Sequence, residues 1–121
     1  MSARDLLAAH MSEDQLLRAV LEHATWLGLL THHCRPARTA TGWRTPIQGT
    51  RGFPDLAIAG PGGLLLPETK SASGSLDADQ RRWRDVLLAS GQRWRLWKPQ
   101  QWLSGEIQEE LQALAKETNH G

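Results

Sequence analysis

The stretch FPDLAIAGPGGLLLPETK, residues 53–70, contains two apolar runs separated by a cluster of glycine and proline. The runs at residues 55–59 and 64–70 have the length and the composition of buried strands. Between them, Gly60-Pro61-Gly62-Gly63 is a strong turn signal, because glycine and proline supply the backbone angles that tight turns need. The stretch therefore predicts a β-hairpin.

The turn also determines which residues face each other across the hairpin. The numbers of paired residues sum to 123 for this turn, so Asp55 is expected opposite Glu68. Their Cβ atoms would lie about 5 Å apart, with Lys70 on the same face. Two carboxylates at this distance repel each other unless a positive charge lies between them, and a divalent cation with oxygen ligands would supply it. A hydrated acid pair with Lys70 as its ion-pair partner is the alternative interpretation.

Upstream of the hairpin, the sequence predicts a helix, a strand and a loop. Ser12 and Gln15 form a capping box before an apolar series at helical spacing, and Gly28 is placed to end that helix. Residues 29–35 then read as a strand. Residues 36–52 show no period and are expected to form a long loop.

Downstream, a second capping box predicts the helix that connects two strands. Asp77 and Gln80 open it, and Gly91 ends it. A strand around residues 93–97, a break at Pro99 and a last helix over about residues 104–117 follow. The expected architecture is α/β, a mixed sheet flanked by helices.

Length and composition indicate one domain over residues 1–121. With 40% hydrophobic residues in 121, the chain can build a core without disulfide bonds, and its single cysteine, Cys34, cannot form one internally. No apolar stretch is long enough to span a membrane, and the first ten residues lack the apolar core of a signal peptide. We therefore expect a cytoplasmic protein that does not contact a membrane.

The charge is distributed unevenly although the net charge is only +1. Residues 35–98 contain eleven basic and five acidic side chains, whereas the segments on either side are acidic. This middle segment therefore favours a polyanionic partner.

The acid pair is also part of a longer pattern. Pro54-Asp55, a spacer of twelve residues and Glu68-Thr69-Lys70 resemble the PD-(D/E)xK nuclease motif. Around it lie Glu13, Gly52-Phe53-Pro54-Asp55-Leu56, Gly74-Ser75-Leu76, Gln80-Arg81-Arg82-Trp83 and Gly91, a set similar to the VRR-NUC (virus-type replication-repair nuclease) family over about residues 12–103. The resemblance implies a restriction-endonuclease-like αβββαβ core, here with an extra C-terminal helix. It also implies cleavage of DNA phosphodiester bonds with Mg²⁺ or Mn²⁺, and homodimers that act on branched DNA such as Holliday junctions.

The resemblance assigns roles to particular residues. Asp55 and Glu68 match the metal-binding carboxylates, Lys70 matches the catalytic lysine, and Glu13 matches an acid that completes the metal shell. Gln80 matches a glutamine that faces the site. The main-chain carbonyl of Thr69 could add a ligand. Glu13 and Gln80 also have purely structural interpretations, since acids are favoured in the first turn of a helix and Gln80 completes a capping box.

Several arginines are candidate DNA contacts, because guanidinium groups bind phosphates. They are Arg35, Arg38, Arg44 and Arg51 in the expected loop and Arg81 in the second helix. A solvated loop and a solvated helix face are the alternatives.

Two further functions stay open: a flap or nicking nuclease of the same fold, and a DNA-binding module with a degenerate metal site. Pro67 motivates the second, because a bulge at this residue would rotate Glu68 away from Asp55.

Overall fold

A computed structural model describes residues 1–33, 37–39, 42–44 and 49–116 of the chain. The helices are α1 (Ala3–His10), α2 (Glu13–Trp26), α3 (Ala78–Ala89), α4 (Pro99–Ser104) and α5 (Glu106–Ala115). The strands are β1 (Leu30–His33), β2 (Ala37–Thr39), β3 (Gly42–Arg44), β4 (Leu56–Gly60), β5 (Gly63–Thr69) and β6 (Trp94–Trp97). Within these ranges, no helix is both long and apolar enough to cross a membrane.

The expected mixed sheet flanked by helices is confirmed. Four strands are ordered β1-β4-β5-β6, of which the first three are antiparallel, and β6 runs parallel to β5. Helix α3 connects β5 to β6, as a parallel pair of strands requires. Strands β2 and β3 form a separate antiparallel hairpin.

Local capping explains where the two predicted helices begin and end. The Ser12 hydroxyl accepts from the Gln15 amide at 3.0 Å, and the Gln15 side chain accepts from the Ser12 amide at 2.9 Å. The same reciprocal pair opens α3 at Asp77. Beyond the helices, Gly28 and Gly91 have φ values of 78° and 83°, which favour glycine.

The core lies on one face of the sheet. It joins Leu16, Val20 and Ala24 of α2 and Ile107, Leu111 and Leu114 of α5 to Leu56, Ile58, Leu65 and Trp97 of the strands. Every side chain of α3 is at least partly exposed. By strand alternation from the core residue Leu65, Glu68 points to the opposite face of the sheet, where Gln80 of α3 contacts it.

The hairpin turn is packed against the end of α5. The Gly62 amide donates to the Leu114 carbonyl at 2.8 Å. A Cβ at Gly60 would lie 2.6 Å from that carbonyl oxygen and 2.4 Å from the Leu29 side chain. Glycine is therefore required at residue 60 for this close approach, and in the turn Gly63 has a φ of 128°, which favours glycine.

The predicted register of the hairpin is confirmed over its first three pairs. These are Gly60↔Gly63, Ala59↔Leu64 and Ile58↔Leu65, whose numbers sum to 123. On the other side of β5, the Leu66 amide donates to the carbonyl of Arg93, just before β6, at 2.9 Å, and the Lys70 amide donates to the carbonyl of Trp97 at 3.0 Å. Since amides alternate in direction along a strand, Pro67 occupies a position whose amide would face β4. Its missing N–H thus falls where the antiparallel ladder ends, while the parallel pairing with β6 continues through it.

One prediction about the elements needs correction. The long loop over residues 36–52 is wrong in part, because it contains β2 and β3. The strand expected over residues 29–35 is described from Leu30 to His33, and its residues 34–35 lie outside the described ranges. The expected break at Pro99 is confirmed, since β6 ends at Trp97, and Pro99 is also the first residue of α4, where a helix has no use for the amide that proline lacks. Helix α1, which the sequence patterns above do not predict, has its own capping box at Ser2 and Asp5.

Candidate functional site

The structure brings Asp55 and Glu68 together at the open end of the hairpin. The Asp55 amide donates to Glu68 Oε2 at 3.1 Å. In turn, the amide and the hydroxyl of Thr69 both donate to Asp55 Oδ2, at 3.2 and 3.0 Å. Pro67 therefore does not rotate Glu68 away from Asp55. Both Thr69 donors reach the same oxygen of Asp55, so the orientation of this carboxylate is fixed from one side.

Glu68 is the most deeply buried acid of the site, with 1% of its surface exposed. The Gln80 side-chain amide donates to its Oε1 at 2.9 Å, and Lys70 Nζ lies 3.8 Å from the same oxygen. Burial raises the pKa of Glu68 to about 8, and the negative charge of Asp55 and a hydrogen bond between the two carboxyls act in the same direction. In the protein alone, Glu68 therefore holds a proton at neutral pH. At neutral pH, a nearby positive charge beyond that of Lys70 would favour its ionised form.

Glu13, the first residue of α2, belongs to the same electrostatic environment. Burial raises its pKa, and the charge of Asp55 raises it further, whereas the charge of Lys70 lowers it. Among the described residues, however, no three His, Cys, Asp or Glu side chains lie close enough together to hold a metal ion. Glu13 thus adds negative charge near Asp55 without forming a closed ligand set with the pair.

The oxygen donors nevertheless fit a hard divalent cation. Mg²⁺ typically takes one or two carboxylates from the protein and keeps several waters, and main-chain carbonyls are suitable further ligands. Asp55, Glu68 and the carbonyl of Thr69 provide that number and type of donor. The raised pKa of Glu68 is a second indication, since a cation would stabilise the ionised form that burial and the charge of Asp55 disfavour.

The predicted arginines are distributed over three places. Arg81 is exposed on α3 next to Gln80, and its guanidinium donates to the Leu76 carbonyl. Arg51 is exposed in the segment before Asp55. Arg38 and Arg44 belong to the β2–β3 hairpin, and Arg35 lies outside the described residues.

Sequence reasoning missed an aromatic pair beside the acids. The rings of Phe53 and Trp83 meet edge to face, with centroids 5.1 Å apart and an interplanar angle of 89°. Trp83 Nε1 also donates to the Thr50 carbonyl at 3.3 Å. The only signal in the sequence is their position, Phe53 two residues before Asp55 and Trp83 three after Gln80. Neither position by itself indicates that the two rings touch.

No protein-family model matches the chain, and neither the curated proteins nor the solved structures that were searched contain a match. The resemblance to the nuclease family therefore rests on the sequence motifs.

Proposed function

We propose that the chain is a divalent-metal-dependent DNA endonuclease of the PD-(D/E)xK type, similar to the VRR-NUC family, that hydrolyses phosphodiester bonds in branched DNA. One observation carries the proposal: Asp55, Glu68 and Lys70 converge at the open end of the hairpin, with Glu68 held by Gln80. These are the residue types that the motif requires. Two strands and a helix bring these residues together. Core packing does not require that they meet, because the core lies on the other face of the sheet.

The proposed mechanism assigns each residue a part. Asp55, Glu68 and the Thr69 carbonyl would hold Mg²⁺ or Mn²⁺, and Glu13 would complete the metal shell, as the resemblance implies. When bound, the cation would lower the pKa of a water and offset charge on the scissile oxygens. Lys70, whose side chain is only 16% exposed, would place its ammonium beside the attacked phosphate and neutralise developing charge. Thr69 orients Asp55, and Gln80 orients Glu68, so both carboxylates are positioned before substrate arrives.

The restriction-endonuclease-like core belongs to the same proposal. Its αβββαβ order would correspond to helix α2, the antiparallel strands β1, β4 and β5, the crossover helix α3 and the parallel strand β6. Strands β2 and β3 are inserted into this order. We also propose a homodimer, because a two-fold pair of active sites suits a two-fold DNA junction. A flap or nicking nuclease would use the same residues on another DNA structure. The contact between Asp55 and Glu68 despite Pro67 favours an enzyme over a degenerate binding module.

Cleavage of labelled linear, nicked, flapped and four-way DNA tests the proposal. The wild-type protein is assayed with Mg²⁺, Mn²⁺ or EDTA beside Lys70→Met, which removes the charge but keeps a side chain of similar length. Lys116→Met is the matched control, because Lys116 follows α5 next to the hairpin turn, away from the acids. We expect cutting that requires metal, survives Lys116→Met and is lost in Lys70→Met. Cutting in EDTA, or full activity of Lys70→Met, would contradict the proposed chemistry, and the preferred DNA would separate a junction nuclease from a flap nuclease.

A further inference from the structure

An exposed aromatic ring lies beside the proposed active site. Phe53 is the only phenylalanine in the chain and immediately precedes Pro54-Asp55. Of its surface, 48% is exposed. Among the described residues, the ring of Phe53 meets that of Trp83 edge to face, and a large part of the Phe53 surface stays exposed. A ring held in this way is available for a second contact.

The segment that carries Phe53 is fixed against α3. Gly52 has a φ of 100°, and a Cβ there would lie 2.4 Å from the backbone carbon of Asp79. The hydrogen bond from Trp83 Nε1 to the Thr50 carbonyl also holds this segment against α3. Because the ring is already positioned, little conformational entropy would be lost when it contacts a ligand.

Helix geometry places this ring close to the carboxylates. Gln80 and Trp83 are three residues apart, so they share one face of α3 and are separated by about 5 Å along its axis. Gln80 contacts Glu68 directly. Since nucleotides follow one another at about 3.4 Å along each strand of a duplex, the spacing between Gln80 and Trp83 corresponds to roughly one or two nucleotides, and Phe53 contacts Trp83.

A basic side chain precedes the ring. Arg51 is exposed two residues before Phe53, whereas Arg81 and Arg82 are exposed on α3 but not on the face that carries Trp83. An aromatic ring with a basic side chain beside it is a combination that binds single-stranded nucleic acid, through base stacking and phosphate contact.

We propose that Phe53, supported by Trp83, stacks on an unpaired base next to the phosphate that is cut. The inference rests on the proposed nuclease function and narrows its substrate class to DNA with an unpaired or splayed nucleotide at the cleavage position. A base inside a continuous duplex is stacked on both neighbours and offers its face only after unstacking, which costs free energy. Junctions, flaps and bulges present such bases without that cost.

Binding in EDTA tests this inference independently of cleavage. The probes are a fully paired duplex and the same duplex with one unpaired 2-aminopurine, whose fluorescence falls when it stacks. The variants are Phe53→Ala, Phe53→Tyr, which keeps a ring, and Trp26→Ala, which removes another exposed ring at the far end of α2. We expect tighter binding of the unpaired probe by the wild type and a loss of about 5-fold to 100-fold for that probe alone in Phe53→Ala. Phe53→Tyr and Trp26→Ala should retain both the preference and the fluorescence change.

Each other outcome has a defined meaning. Equal binding of the two probes by the wild type overturns the inference, as does an equal loss for both probes in Phe53→Ala, because the ring would then only hold its segment. If Phe53→Ala does not fold, Phe53→Leu preserves apolar contact with Trp83 without a stacking ring and is used instead. A protein that shows the expected binding but cuts no DNA with Mg²⁺ or Mn²⁺ refutes the proposed nuclease activity and leaves the stacking role standing.

Discussion

Replacing Glu68 with glutamine should change how the stability of the metal-free protein depends on pH. The pKa of Glu68 is raised in the folded state, so the folded protein binds a proton more tightly than the unfolded chain does. The shift of this pKa on folding is opposite in sign to that of an ion-paired carboxylate, whose pKa is lowered in the folded state. The stability that this bound proton gives the folded protein is fully present below the ordinary pKa of a glutamate. It is lost as the pH rises through the folded pKa of about 8.

The size of the effect follows from the shift. At pH 6 the folded protein holds the proton and the unfolded chain has released it, whereas at pH 9 both have released it. With pKa values of 4.5 and about 8, the free energy of unfolding should fall by about 3 kcal/mol between these two conditions. Glu68 is 1% exposed, so solvent screens this contribution little. Glu68→Gln resembles the protonated form at every pH and should lack the decrease.

Urea unfolding in EDTA at pH 6 and pH 9 measures this difference. The other ionisable groups are present in both proteins, so the wild-type change minus the variant change isolates Glu68. Adding Mg²⁺ at pH 9 should then stabilise the wild type more than Glu68→Gln, because a ligand that binds only the folded state adds stability. Equal changes with pH in the two proteins would refute the buried, proton-holding state of Glu68.

Three further changes test the positioning of the site and its DNA contacts. Gly52→Ala should cost more than about 2 kcal/mol in thermal or urea unfolding, because it adds a clash with the α3 backbone to the strain of a positive φ, whereas Gly28→Ala, which has open space, should cost about 1 kcal/mol. Equal losses would exclude the clash. Thr69→Val should weaken Mn²⁺ binding about 10-fold in calorimetry, since Asp55 loses one of its two donors there, while unchanged affinity would remove the positioning role. Arg38→Ala combined with Arg44→Ala should lower the slope of log affinity against log salt by up to about 2, and an unaltered slope would show that these arginines do not contact phosphates.

The hairpin and its register can be predicted because a glycine-rich turn between two apolar runs leaves few alternatives. Pairing by residue number across that turn is sufficient to place Asp55 near Glu68. The capping boxes are equally informative, since their reciprocal hydrogen bonds involve residues only three apart. The sequence fails where the strands are short: β2 and β3 have three residues each, and Ala37–Thr39 contains one β-branched residue and no aromatic residue.

The finer details of the site depend on contacts between distant parts of the chain. The sequence identifies Gln80 as a capping residue, and its second hydrogen bond to Glu68 arises because α3 crosses the sheet at that point. The Thr69 hydroxyl reaches Asp55 because Pro67 ends the ladder before these two residues. Local residue preferences predict neither of these two hydrogen bonds. The burial that raises the pKa of Glu68 likewise depends on the assembled fold.

The packing of α5 against the hairpin turn provides an attachment point for single-molecule work. Six residues of strand, about 20 Å, separate Gly62 from Glu68. Ala113 is exposed beside that turn, and its carbonyl would lie 2.7 Å from a Cβ at Gly62. A tether to a glass surface through residue 113 would therefore leave the carboxylate end of the hairpin directed toward solution. DNA could then reach the acids without first displacing the support.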